Sequence, residues 1–154
     1  MASVYNKIYL RRKNCDGRTL WYQQNAYKAI KESRKQGEKT CLVKMFCGTG
    51  KSRIIFKDVC DKAWNLSVIV FPTLSLGTQF ERKYVLREKE KTYSHLFISS
   101  EEGATTNDEE IISFLDANAK AKKIILVTYS SFPKLCSIIR EKKITVDTCL
   151  LYTS

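Results

Sequence analysis

The chain has 154 residues, which is enough for one domain with a substantial hydrophobic core. Its 44% of hydrophobic residues excludes a disordered chain, and no apolar run is long enough to predict a membrane span. The net charge of +11 favours a polyanionic partner, although basic faces are often only solvated surface.

Residues 1–19 are predicted to form a basic N-terminal extension. Within it, residues 4–10 predict an edge strand or an extended arm, and residues 14–17 predict a turn. The N-terminus has no apolar segment typical of a signal peptide. We therefore expect a cytoplasmic protein, or a nuclear or viral-factory protein in a eukaryotic or viral setting.

The cysteines show no pattern typical of a metal site, because no two have C-x-x-C spacing and His95 is the single histidine. Several of them fall in apolar runs, where a thiol behaves as a small hydrophobic group. We expect all six to be reduced and none to bind metal: Cys15, Cys41, Cys47, Cys60, Cys136 and Cys149.

Residues 20–36 predict a helix that ends at Gly37. The residues expected on its buried face are Tyr22, Ala26, Ala29 and Ile30. Gln23 is a candidate for contact with adenine, because a carboxamide offers a donor and an acceptor that match the N6/N7 edge of that base. The alternative is that Gln23 is a surface residue of an amphipathic helix.

The sequence Gly48-Thr49-Gly50-Lys51-Ser52 is the core of a Walker A phosphate loop. Glycines let successive backbone N–H groups turn towards a phosphate, and a following helix adds its positive end. Residues 40–46 predict a buried strand before the loop, and a helix is expected to start near Lys51. The alternative is a chance glycine turn before a helix. The residues expected to hold ATP at the loop are Cys47, Gly48, Thr49, Gly50, Lys51 and Ser52.

Two residues of this loop have catalytic roles in the prediction. Lys51 is expected to reach the β- and γ-phosphates of ATP, and Ser52 is expected to offer its hydroxyl to Mg²⁺. The strict Walker A pattern has glycine at position 45, where this chain has Met45. That departure argues against a nucleotide kinase or a small GTPase.

Met-x-x-Gly-Thr-Gly-Lys-Ser resembles motif I of superfamily 2 helicases and translocases. The likeness is greatest to restriction-enzyme motor subunits and to helicases of large DNA viruses. Leu20-Trp21-Tyr22-Gln23-Gln24 is similar to the Q motif of that family, which implies that Gln23 reads adenine. The family often has arginine where Trp21 stands, so a contact made by that arginine is not expected here.

Residues 67–71 predict a strand, and Pro72-Thr73-Leu74-Ser75 follows it before a helix that contains Gln79. This order is similar to motif Ia, which in the family holds the nucleic-acid backbone. The resemblance implies that Pro72, Thr73, Leu74 and Ser75 contact nucleic acid. Thr73 and Ser75 are equally suited to be plain helix caps, since capping and phosphate contact use the same geometry.

The rest of the chain continues the alternation of strands and helices. Strands are predicted at residues 93–99, 122–131 and 144–152, and helices at residues 109–121 and 132–143. Thr128-Tyr129-Ser130-Ser131 resembles the sequence that precedes motif II, which implies that Thr128 and Ser131 contact nucleic acid. A simple strand-end role for Thr128 is the alternative.

Thr153 and Ser154 stand where the family has the Asp and Glu of the Walker B motif. A hydroxyl supplies neither the charge nor the basicity of a carboxylate, so we expect poor ATP turnover or none. The resemblance implies a fragment of a longer protein, with a second RecA-like domain as the partner missing from this chain.

Together these features predict an α/β protein, a RecA-like P-loop domain whose parallel sheet has helices on both faces. Residues 20–154 would be the first RecA-like domain of a helicase or translocase, incomplete at its C-terminal end. ATP and Mg²⁺ are the expected cofactors, and DNA is favoured over RNA as the partner. The alternatives are another P-loop ATPase or kinase and a non-catalytic basic module that binds nucleic acid.

Overall fold

The computed structural model describes residues 20–61, 64–87, 92–100, 104–117 and 121–152. The chain divides into two compact units, Met1–Ile54 and Ile55–Ser154. The strand predicted at residues 4–10, the turn predicted at residues 14–17 and Cys15 lie outside the described residues. Each unit is therefore described from its own described part.

The first unit contains α1 (Trp21–Lys35) and the beginning of α2 (Lys51–Val59). Gly37 ends α1 with a φ of +85°, as predicted, because glycine adopts the left-handed region without a steric penalty. Ile30 and Gln23 are the buried residues of α1. The prediction that Ala29 lies on the buried face is wrong, because Ala29 is exposed.

The prediction of a buried strand at residues 40–46 is also wrong. These residues adopt no regular secondary structure, and the side chains of Leu42 and Phe46 are 80% and 76% exposed. A β-forming sequence becomes a strand only where a neighbouring strand completes its ladder of hydrogen bonds. No such ladder forms here among the residues that the structure describes.

The second unit is built on a parallel sheet in the order β2-β3-β1-β4. Its strands are β1 (Leu66–Phe71), β2 (Tyr93–Ile98), β3 (Lys122–Thr128) and β4 (Thr148–Leu151). Val70 of β1 lies opposite Val127 of β3 and Leu151 of β4. All of β1 is buried, which explains its continuous apolar sequence. The predicted strand positions in this unit are therefore confirmed, although β3 and β4 are shorter than expected.

Helical segments connect these strands. They are α3 (Leu74–Phe80), a π-helical turn (Glu81–Val85), α4 (Asp108–Asp116) and α5 (Phe132–Glu141). The side chain of Asn107 caps α4 by accepting a 2.9 Å hydrogen bond from the Glu109 N–H. Ala117 leaves the helical conformation, so α4 ends at Asp116 rather than at residue 121. Pro133 occupies the first turn of α5, as predicted.

Alternate side chains of the sheet enter two hydrophobic clusters. One cluster joins the sheet to α4 and α5 and includes Val68, Val70, Ile125, Val127, Ile111, Leu115, Leu135 and Ile138. The other includes Ile69, Phe71, Ile124, Leu126, Val59, Phe80 and Val85. Because strand side chains alternate between faces, these clusters place helical segments on both faces of the sheet. No helix in the described part of the chain is long and apolar enough to cross a membrane.

Two polar side chains fix the ends of these elements. The carboxylate of Asp147 accepts hydrogen bonds of 2.7 and 2.8 Å from the Asn65 and Leu66 N–H groups at the start of β1. Lys123 is buried and donates to the carbonyl of Leu115 in the last turn of α4. A cation at this end of a helix also complements the helix dipole.

Candidate functional site

The phosphate loop in the first unit is a tight turn closed by its own hydrogen bonds. The carbonyl of Phe46 accepts from the Thr49 hydroxyl at 2.6 Å and from the Thr49 N–H at 3.4 Å. Gly48 and Gly50 have φ values of +76° and +86°. A residue with a side chain is strained in this region, so the turn depends on both glycines.

Gln23 fastens this loop to α1. Its Nε2 donates to the Thr49 carbonyl at 2.8 Å, and its Oε1 accepts from the Leu20 N–H at 3.2 Å. The side chain is 4% exposed, and it leaves no space beside Gly50: a Cβ there would lie 2.3 Å from Nε2. The backbone of the loop and the first turn of α1 are therefore linked through one carboxamide.

This contact was not predicted, because residues 23 and 49 lie far apart in the sequence. The adenine contact predicted for Gln23 stays a prediction. The carboxamide has a second N–H and a second lone pair, so its bonds to Leu20 and Thr49 leave one donor and one acceptor for a ligand. The alternative of a surface glutamine is wrong, because Gln23 is buried.

The loop leads directly into α2, which begins at Lys51 as predicted. The first turn of α2 contains no acidic residue, so nothing in it opposes an anion at the positive end of the helix. Lys51 Nζ lies 3.4 Å from the carbonyl of Met45, so its ammonium group crosses the opening of the loop. Ser52 is half-buried in the same turn, and Cys47 is exposed. This arrangement is chemically suited to bind a polyphosphate.

The residues predicted to contact nucleic acid follow two neighbouring strands of the second unit. Phe71, the last residue of β1, lies opposite Thr128, the last residue of β3. After β1, the hydroxyl of Thr73 caps α3 by accepting from the Leu76 N–H at 3.4 Å. Capping, which the sequence left as an alternative, is thus the role that Thr73 has here. Pro72 and Leu74 are half-buried, and Ser75 is exposed.

The segment after β3 forms a small cluster of hydroxyl groups. Thr128 and Ser131 are only 3% and 6% exposed, and their hydroxyl oxygens lie 3.4 Å apart. Thr128 Oγ1 also lies 3.1 Å from the hydroxyl of Ser130, which is exposed. Of the three serine and threonine hydroxyls in this turn, the accessible one belongs to Ser130, which the sequence did not single out. The only available signal was its place in the Thr-Tyr-Ser-Ser turn.

Comparison with known families agrees with this architecture. The sequence profile described as "type III restriction enzyme, res subunit" matches residues 18–146, which is most of the chain. The chain belongs to this family. Within the res-subunit family it is a helicase-like motor domain, which confirms the predicted resemblance to restriction-enzyme motor subunits.

A likeness to a solved structure establishes the fold of this res-subunit domain independently. The chain is similar to a nuclease-deletion mutant of the Type ISP restriction-modification enzyme LlaGI, solved in complex with a DNA substrate mimic. The TM-score is 0.69 at 22% identity, and the match covers 91% of this chain and 15% of that one. The predicted RecA-like α/β fold is thereby confirmed. Comparison with curated proteins gives no match.

Proposed function

We propose that residues 47–52 bind Mg-ATP and that this chain is the nucleotide-binding first domain of a DNA-dependent motor. The observation that carries the proposal is the geometry of the phosphate loop. Gly48 and Gly50 adopt positive φ, the loop opens onto the start of α2, and Gln23 holds its backbone through Thr49. Each of these features serves the binding of a phosphate tail.

Each polar group of the loop has a distinct part in this proposal. Lys51 exchanges the Met45 carbonyl for the β- and γ-phosphates, and Ser52 supplies its hydroxyl to Mg²⁺. The backbone N–H groups from Cys47 to Gly50 complete the cradle. Gln23 uses its remaining donor and acceptor on adenine. Magnesium then offsets phosphate charge that the single ammonium of Lys51 leaves uncompensated.

DNA is the proposed nucleic-acid partner. The family is named for restriction enzymes, and the structurally similar LlaGI mutant was solved with a DNA substrate mimic. The chain also carries 27 Lys and Arg against 16 Asp and Glu. The proposed contacts are Pro72, Thr73, Leu74, Ser75, Thr128 and Ser131. Hydrolysis and movement along DNA are proposed for the whole parent protein, in which a second RecA-like domain would complete the cleft.

Calorimetric titration with Mg-ATP tests the nucleotide site. We expect Lys51→Ala to weaken binding by about 10- to 150-fold, the equivalent of losing a charged hydrogen bond of about 1.5–3 kcal/mol. Lys44→Ala is the matched control, because Lys44 is an exposed lysine that precedes the loop. Equal affinities for the two variants would refute the proposed role of Lys51. Absent ATP binding with intact DNA binding would identify a basic module instead.

A further inference from the structure

A groove runs beside α3 and the π-helical turn of the second unit. It is an open groove of about 760 Å³, lined by Leu74, Ser75, Thr78, Gln79, Arg82, Lys83 and Arg87. We call it the basic groove. Leu74 and Ser75 belong to the residues already assigned to nucleic acid, and the other five lining residues have no role in the proposed function.

The π-helical turn is what brings the second arginine into the basic groove. The Leu86 N–H donates to the Glu81 carbonyl at 2.9 Å, a hydrogen bond that spans five residues. In an α-helix, residue 86 would lie above Arg82, because residues four apart share a face. The widened turn gives that place to Arg87, and Leu86 is not part of the groove. Such turns occur frequently at functional sites.

Side chains of β2 hold both ends of this turn. The Tyr93 hydroxyl donates to the Val85 carbonyl at 3.0 Å, and Val85 itself is fully buried. His95 Nε2 lies 3.0 Å from the Glu81 carboxylate at the other end. The π geometry is therefore supported by contacts outside the helix.

Among the residues that the structure describes, no ion pair neutralises the arginines of the basic groove. Glu81 is the acidic residue of the turn, and its carboxylate lies 3.0 Å from His95 Nε2. Lys83 Nζ lies 5.6 Å from the centroid of the Tyr84 ring. Within the described part of the chain, the guanidinium groups of Arg82 and Arg87 form no hydrogen bond or ion pair. Both guanidinium groups are exposed donors with no internal acceptor.

We propose that the basic groove binds the phosphodiester backbone of a DNA strand through Arg82 and Arg87. One guanidinium group can donate two parallel hydrogen bonds to two oxygens of a phosphate. Ser75, Thr78 and Gln79 offer uncharged hydrogen-bond donors along the same groove. The choice of DNA rests on the proposed function above. The groove itself is inferred from charge and geometry, and it makes no use of the ATP site.

Fluorescence anisotropy with a labelled 20-nucleotide DNA strand, without nucleotide, tests this proposal. The slope of log affinity against log salt changes by about 0.7 for each phosphate contact to a single strand. The double variant Arg82→Ala with Arg87→Ala should therefore show a salt dependence whose slope is less steep by about 1.4. If the affinities coincide near 1 M salt, the double variant binds about 25-fold more weakly at 0.1 M.

The matched control is Arg140→Ala with Lys142→Ala, which removes the same charge from exposed residues of α5 and its C-cap. Arg82→Lys with Arg87→Lys should retain most of the salt slope, and circular dichroism verifies that each variant is folded. An equal loss in the α5 variant would overturn the proposal. Tighter binding of RNA of the same sequence, or equal competition by polyglutamate, would overturn the assignment to DNA.

Lys51→Ala separates this proposal from the function proposed for the loop. We expect that variant to retain the DNA affinity measured without nucleotide, because Lys51 is not among the residues that line the basic groove. If Mg-ATP fails to bind while the Arg82 and Arg87 variant still loses DNA, the proposed ATPase fails and the groove stands. If ATP binding is confirmed and the arginine variant binds DNA normally, the groove proposal fails alone.

Discussion

Replacement of Gly50 by alanine should be the most damaging small change in the phosphate loop. Two costs arise from the structure. The φ of +86° imposes about 1–2 kcal/mol on a residue with a Cβ. The new Cβ would lie 2.3 Å from Gln23 Nε2, so the carboxamide must move and release the Thr49 carbonyl, at about 1 kcal/mol. We expect Gly50→Ala to lower the free energy of unfolding by about 2–3 kcal/mol.

Gly48→Ala is the matched control for this effect. Gly48 has a φ of +76°, but a Cβ there would meet nothing within 4 Å. Gly48→Ala should therefore lower the free energy of unfolding only by the backbone strain of about 1–2 kcal/mol. Alanine reduces the entropy of the unfolded chain equally at both positions. The difference of about 1 kcal/mol between the variants therefore measures the cost of displacing the Gln23 side chain.

Urea unfolding followed by tryptophan fluorescence measures these costs, and Trp21 on α1 supplies a reporter in the same unit as the loop. The decisive comparison repeats both substitutions in a Gln23→Ala background. There the cost of Gly50→Ala should fall to that of Gly48→Ala, because the clash is gone. Equal costs in the wild-type background, or no relief from Gln23→Ala, would refute the reasoning.

Two further predictions concern a thiol and a helix contact. Mg-ATP at ten times its dissociation constant should slow the alkylation of the exposed Cys47 about elevenfold, because the bound ligand covers the loop. The alkylation rate of the exposed Cys41 should stay unchanged, and mass spectrometry measures both rates. Equal protection of both thiols would contradict a ligand at the loop. Gly77→Ala should destabilise the second unit by about 1–2 kcal/mol in thermal unfolding, because its Cβ would lie 2.3 Å from Phe97 Cζ. In a Phe97→Leu background the helix propensity of alanine should prevail and the same change should stabilise the protein.

The sheet and most helices could be predicted because their sequences carry strong local patterns. The β-branched run in β1 and the apolar spacing of α5 each favour one structure, and tertiary packing agrees with them. Residues 40–46 show the limit of this approach. Their sequence favours a strand, but a strand forms only where a neighbouring strand completes its hydrogen bonds. Local β propensity does not show which segment, if any, would be that neighbour.

The candidate site was predicted in its composition but not in its contacts. The glycines and Lys51 are recognisable because phosphate binding constrains neighbouring residues. The bond from Gln23 to Thr49 joins residues that are distant in sequence, so no local pattern reveals it. The π-helical turn was missed for a similar reason, since contacts from Tyr93 and His95 support it.

Nuclear magnetic resonance of the ¹⁵N-labelled chain during a Mg-ATP titration tests the central claim most directly. If the phosphate loop binds Mg-ATP, the backbone amide signals of Gly48, Gly50 and Lys51 should shift together with the side-chain amide signals of Gln23. In Lys51→Ala, the amides of Gly48, Gly50 and Gln23 should shift less at an equal concentration of nucleotide, in proportion to the lower occupancy of the site. If the wild-type protein is saturated with Mg-ATP and the chemical shifts of these amides do not change, the phosphate loop is not the nucleotide site.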